Sequence, residues 1–131
     1  MHNAAQIANY VSIDIVVYPG FKALEAIGPL KVFDCANACL EQRQLHGGYQ
    51  VSIASTKIGM VLSDTIMSLQ ATKKLDVRAI PDMANIVGAH EIETALENSP
   101  EIVLWVTAVA DKIKRLLALY NGVFFWLKVA H

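Results

Sequence analysis

VVYPGFKALEAIGPLKVFDCAN, residues 16–37, passes from a β-branched, aromatic run through Pro-Gly into a segment whose apolar side chains recur every three or four positions. Read with the residues just before it, SIDIVVY (12–18) is nearly all apolar beyond its first alternation, as expected for a strand covered on both faces. Pro19-Gly20 ends that strand as a turn. From Leu24 to about Arg43 the positions Leu24, Ile27, Leu30, Phe33, Ala36 and Leu40 make one helix stripe, and Gly28-Pro29 in its first turns predicts a bent or delayed start. His46-Gly47-Gly48 then closes the helix and opens a second strand, Tyr49 to Ala54.

The same alternation continues outward. TKIGMVLSDTIMSL (56–69) holds two short β-like runs around Gly59 and Ser63-Asp64, a hairpin leaving the main sheet. A polar link with Lys73, Lys74, Asp76 and Arg78 leads to Pro81, and Met83 to Val87 is a third apolar run stopped by Gly88. Glu91 to Glu97 reads as a short helix. Ser99-Pro100-Glu101 starts another: Ser can cap, Pro is preorganised for the first turn, and Glu suits the positive end of the dipole. Its stripe is Ile102, Trp105, Val106, Val109 and Ile113. Leu116 to Tyr120 is a further strand, and Gly122 onward reads as a helix that is apolar on every side. Strands alternating with helices predict an α/β, doubly wound, mainly parallel sheet, with inner strands at 12–17, 49–54, 84–87 and 115–119.

Composition bounds the function. The chain has 131 residues, one domain's worth, and a fold of that size buries roughly two thirds of the surface its unfolded chain exposes. It is 54% apolar and 18% charged, which suits a buried-sheet domain or a piece of something larger. With a net charge of −1, and Lys and Arg scattered apart from Lys112, Lys114 and Arg115, the electrostatic footprint of a nucleic-acid surface is absent, so contact with DNA would have to come from another segment. Cys35 and Cys39 sit four apart in the helical pattern, without nearby ligands to complete a metal set, and read as small buried apolar groups; neither metal nor cofactor is expected. MHNAAQIANY lacks a basic, apolar signal pattern, residues 1–11 read as a flexible lead, and the longest apolar run, Val123 to Leu127, is far short of the roughly 20 residues of a membrane span. A cytoplasmic protein away from the membrane is the expectation.

LLALYNGVFF (116–125) runs a strand through Tyr-Asn-Gly straight into a second apolar run. In hydrolases and amidotransferases such a strand-to-helix elbow raises a Ser or Cys above the sheet while backbone N–H groups face the developing oxyanion. Here the raised position is Tyr120.

Three of these segments together resemble the ThiJ/PfpI superfamily, class I glutamine-amidotransferase-like, and within it the N-terminal domain of AraC-family transcription regulators. The strongest is residues 16–37, where Pro19, Gly20, Phe21, Gly28, Pro29, Val32 and Phe33 fall at the family's spacing; NIVGAH (85–90) and LYNGVFF (119–125) are the others. The resemblance implies a flavodoxin-like three-layer sandwich, truncated after the elbow helix, with residues 1–131 forming a single, incomplete domain. It also implies a small-molecule ligand, a homo-oligomer, and a DNA-binding helix-turn-helix in a segment absent here.

The sequence departs from the family's enzymes at several points. Tyr120 stands at the nucleophile position, and a phenol of pKa about 10 cannot serve as the thiolate. Ala89 replaces the second glycine of the Gly-Gly turn, and the chain ends at His131 before the supporting His would come. Glu25 matches the family's carboxylate near the elbow, where it could accept a hydrogen bond from Tyr120; the alternative is an exposed first-turn residue favoured by the helix dipole. Tyr120 could equally be an aromatic filler, and His90 either lines the pocket or is a solvated residue at a helix start. The ligand-pocket candidates are Glu25, Gly88, Ala89, His90, Tyr120 and Asn121, with no catalytic residue. Two other readings stay open: an isonitrile hydratase or amidase-like relative that has lost its nucleophile, and a remnant kept for oligomerisation through FFWLKVAH (124–131).

Overall fold

The computed structural model describes residues 10–118 and Gly122. Residues 1–9 of the expected lead, the strand's end at Leu119 and Tyr120, Asn121, and the expected helix beyond Gly122 with Phe124 to Leu127 lie outside the described residues. In chain order the elements are β1 (Tyr10–Val16), α1 (Ala23–Gln42), β2 (Gly48–Ser55), β3 (Gly59–Leu62), β4 (Ser68–Ala71), β5 (Lys73–Lys74), β6 (Met83–Ile86), α2 (Ile92–Asn98), α3 (Pro100–Val109) and β7 (Arg115–Ala118). Five strands form one sheet in the order β5-β2-β1-β6-β7, with every neighbouring pair parallel. β3 and β4 stand apart as an antiparallel hairpin. The parallel, doubly wound sheet and the excursion at 56–69 are therefore as the apolar periodicity predicts.

β1 lies at the centre because it can be covered on both sides: Ile13, Asp14, Ile15 and Val16 are all buried. Its register sets Ile13 beside Val51 on one flank and Met83 on the other, and Val16 beside Ala54 and Ile86. The strand begins at Tyr10, so the last two residues of the expected lead belong to the sheet.

α1 corrects several expectations. It starts at Ala23, ahead of Gly28-Pro29, so these residues do not delay it. Lys22, at the N-cap, offers no side-chain cap, but the carboxylate of Asp64 in the β3–β4 hairpin accepts the Ala23 N–H at 3.2 Å and supplies one from outside the helix. The buried residues are Ala23 and Ala26, with Ile27, Leu30, Phe33, Ala36 and Leu40 half-buried; Leu24, read as part of the stripe, is 81% exposed. A helix advances about 100° per residue, and the sheet-facing line is centred on Ala26, Leu30, Phe33 and Asn37, which turns Leu24 outward. Cys35 and Cys39 fall on that outward side and are exposed, not buried.

α1 is fastened to β2 by Asn37, whose Nδ2 donates to the Tyr49 carbonyl and whose Oδ1 accepts the Tyr49 N–H, both at 2.8 Å. The preceding Gly48 has φ of +149°, and a Cβ there would sit 2.7 Å from Asn37 Oδ1, so this junction needs glycine. Phe33 packs on the Tyr49 ring with centroids 4.9 Å apart.

Two further differences lie between β2 and β7. Lys73 and Lys74, read as part of a polar link, form the edge strand β5, and Lys73 Nζ donates to buried Asp14 Oδ2 at 2.8 Å. Ser99 gives α3 no side-chain cap. It is the buried joint of two helices: its N–H donates to Ala95 O at 2.9 Å, closing α2, and its carbonyl accepts the Ile102 N–H at 3.1 Å, opening α3. The expected stripe holds over α3, with Ile102, Trp105, Val106 and Val109 buried in one core with Ile15, Val16, Ile86 and Val87, whereas Ile113 lies beyond the helix end and packs half-buried against the same core.

Candidate functional site

β1 leads through α1 to β2 on one flank, whereas β6 leads through α2 and α3 to β7 on the other. β1 and β6 are neighbours, so the chain's direction of winding reverses between them, and a crevice opens beyond their carboxyl ends. The segments that reach this crevice are Val17 to Phe21 and Val87 to His90.

Backbone bonds tie the two ends together. Lys22 N–H donates to Gly88 O at 2.8 Å, and Phe21 forms an antiparallel bridge with Ala89 and a parallel one with Ser63. The hairpin is held against the same turn: Gly20 N–H donates to Leu62 O at 2.9 Å and Asp64 N–H to Phe21 O at 2.8 Å. This mesh fixes the first turn of α1, and Glu25 with it. The half-buried Glu25 carboxylate accepts the Gly88 N–H through Oε1 at 3.3 Å. The structure thus brings Glu25 to Gly88, and the carboxylate also occupies the first turn of α1, where the helix dipole favours it.

Beneath them lies Tyr18, which sequence reasoning passed over. Fully buried two residues beyond β1, it donates its hydroxyl to the Val87 carbonyl. Burial pushes the phenol above its usual range, and the nearby charge of Glu25 adds to the shift. Its signal was a hydroxyl-bearing ring closing the apolar run Ile15–Tyr18 just ahead of Pro19, since a buried tyrosine needs a partner for its O–H.

Gly122 belongs to the same corner. A Cβ on it would lie 2.5 Å from Ile86 O and 3.1 Å from Val87 O, so the chain after β7 presses against the end of β6 where any side chain would collide. Tyr120 and Asn121, just before it, lie outside the described residues.

Ala89 is buried and His90 exposed. Both line a cleft of about 220 Å3 with Pro19, Gly20, Asp64, Glu91, Thr94 and Asn98. Of the pocket candidates, Glu25 and Gly88 meet directly, whereas Ala89 and His90 share the adjoining cleft. The cleft can hold a small polar molecule between carboxylate, hydroxyl, amide and imidazole groups. Asp64, which reaches it from the hairpin, had no local signal in the sequence, because its position depends on where the hairpin docks.

The fold that this sheet and hairpin define is one shared with solved ThiJ/PfpI-like α/β domains. Its relatives among solved structures are both regulators and ThiJ/PfpI proteins. An AraC family transcriptional regulator from Pseudomonas putida superposes with a TM-score of 0.73 at 20% identity, over 90% of this chain and 69% of that one. A putative transcriptional regulator protein from Vibrio parahaemolyticus gives a TM-score of 0.74 at 15% identity, over 92% and 62%. A ThiJ/PfpI family protein from Pseudomonas syringae gives 0.70 at 15% identity, over 98% and 52%. The chain thus has their fold and spans between about half and two thirds of their length. No family model matches the sequence, and no curated protein matches it.

Proposed function

We propose that this chain is a non-catalytic, small-molecule-sensing domain of an AraC-type transcription regulator, which assembles as a homo-oligomer and meets DNA through a segment outside this sequence. The observation that carries the reading concerns thiols. The sequence holds two cysteines, and both lie on the outward face of α1, away from the carboxyl ends of β1 and β6. Family enzymes use a thiolate at the elbow, where this sequence has Tyr120. The family carboxylate, Glu25, is engaged with the Gly88 N–H, and among the described residues no thiol lies beside it. A regulator and a putative regulator among the structural relatives support a regulator-like domain.

Two measurements test this reading. Isonitriles, amides and methylglyoxal should be turned over at background rates. A metabolite library screened by thermal denaturation should contain a ligand that raises stability, by about 2.7 kcal/mol at a hundredfold excess over Kd. Glu25→Gln should weaken that ligand. Turnover that survives purification and disappears in Cys35→Ser or Cys39→Ser would overturn the non-catalytic reading, and a ligand indifferent to Glu25 would move the sensing site elsewhere.

A further inference from the structure

α1 carries Lys31, Cys35, Cys39 and its C-cap residue Arg43 at successive intervals of four, which is one ridge of a helix. Both thiols are free and exposed. Leu24 and Val32, 81% and 64% exposed, share that outward side, and between them a Cβ at Gly28 would meet nothing within 4 Å. The helix therefore presents an open seam of two apolar side chains, a glycine and two sulfurs on the side away from the sheet.

Spacing decides what the thiols can do. Positions four apart on a helix hold their Cβ atoms about 5–6 Å apart, wider than the roughly 3.5–4.5 Å of a disulfide, so the two sulfurs do not oxidise to one another while α1 is intact. The same spacing lets two side chains ligate one metal ion, as paired histidines do in helical zinc motifs. Thiolates select zinc and other thiophilic ions, in tetrahedral sites with metal–sulfur distances of about 2.3 Å. Among the described residues no group of three or more His, Cys, Asp or Glu could hold a metal. One α1 thus offers half of a four-thiolate set, and a second α1 offers the identical other half.

We propose that Cys35 and Cys39 form a bidentate thiolate site for a thiophilic divalent metal, completed by the same pair from a second copy of this chain packed along the outward face of α1. Such an interface is isologous, each copy giving and receiving the same ligands. Each thiol releases its proton to solvent as its bond to the metal forms, so four protons leave per ion and no oxidant or reductant takes part. A divalent ion in four thiolates carries two negative charges. Lys31 and Arg43, one turn either side of the sulfurs in each copy, offset them. Lys31 lies 3.6 Å from Asp34, but both side chains are exposed, so that ion pair is weak and readily exchanged. The second helix also covers Leu24 and Val32, which the single chain leaves in water.

The experiment titrates the reduced full chain with Cd2+ alone, following the ultraviolet thiolate-to-metal charge-transfer band and the molar mass by light scattering. The band should saturate at one ion per two chains as the mass doubles, and a chelator should reverse both. Cys35→Ser and Cys39→Ser should each abolish the doubling with an unchanged far-ultraviolet circular dichroism spectrum, because both positions are exposed. Absence of the band, saturation at one ion per chain without doubling, or a doubling that survives both serine substitutions would each overturn the proposal.

Discussion

Tyr18 shows how much one buried hydroxyl contributes to the crevice. It joins the segment following β1 to the Val87 carbonyl at the end of β6, just below the Glu25–Gly88 contact. Tyr18→Phe keeps the ring and strips that carbonyl of a donor, and should cost about 1–3 kcal/mol in urea denaturation. The pH dependence follows from the same burial. The folded state holds the phenol above its ordinary value, so the unfolded chain gives up this proton first as pH rises. Stability from this group should be complete below about pH 10 and fall above it, and that fall should be smaller in Tyr18→Phe. Gly122 is the steric counterpart. Gly122→Ala would set a methyl 2.5 Å from Ile86 O and should destabilise by about 1–3 kcal/mol, measured the same way. The Pro19-Gly20 turn of this corner is legible in the sequence because it is local turn chemistry. Tyr18 and Asp64 are not, because their partners lie 69 and 41 residues away.

Among the elements, the edge strand β5 depends most on a single contact. It has two residues, and Lys73 reaches from it past β2 to Asp14, which is 2% exposed in β1. Burial raises the Asp14 carboxyl above its usual value, and this outweighs the opposing pull of the Lys73 hydrogen bond and charge. Lys73→Met leaves a buried carboxylate without its cation and should cost about 3–5 kcal/mol at neutral pH. The sign with pH is opposite to that of an ordinary salt-bridged acid. Because the folded-state carboxyl binds its proton more tightly than the unfolded one, the variant should recover stability relative to the parent as pH falls through the raised pKa. Chemical denaturation of both proteins across the acid range checks this, and a penalty that does not shrink toward low pH would contradict it. Local polarity alone makes Lys73-Lys74 look like a linker. The pairing with β2 and the buried partner make it a strand.

For the whole molecule, the reversal of winding between β1 and β6 is what gathers the site, since its residues come from segments following β1, β6 and β7 or from the hairpin docked on them. Among the described residues, no helix is long and apolar enough to cross a membrane. The chain's net charge is −1, so few phosphate-bound counterions would be released on contact with a duplex. The 131-residue chain should therefore not shift promoter DNA at physiological salt in a mobility-shift titration. Strong binding with a steep salt dependence would reveal a basic face absent from the sequence pattern.

By itself the sequence determined the class of fold. Periods of two and 3.6 record which faces are apolar, and runs such as Ile15 to Tyr18 bounded by Pro-Gly fit strands covered on both sides, so a parallel sheet with helices follows from the order of residues. Only the tertiary structure decided the helix phase that turns Leu24, Cys35 and Cys39 to the outside, the Asp64 cap on α1, the Asp14–Lys73 pair and the meeting of Glu25 with Gly88. Each of these depends on which distant segment comes to lie beside a residue, a choice made by the packing of the whole core and not by any local window of the chain.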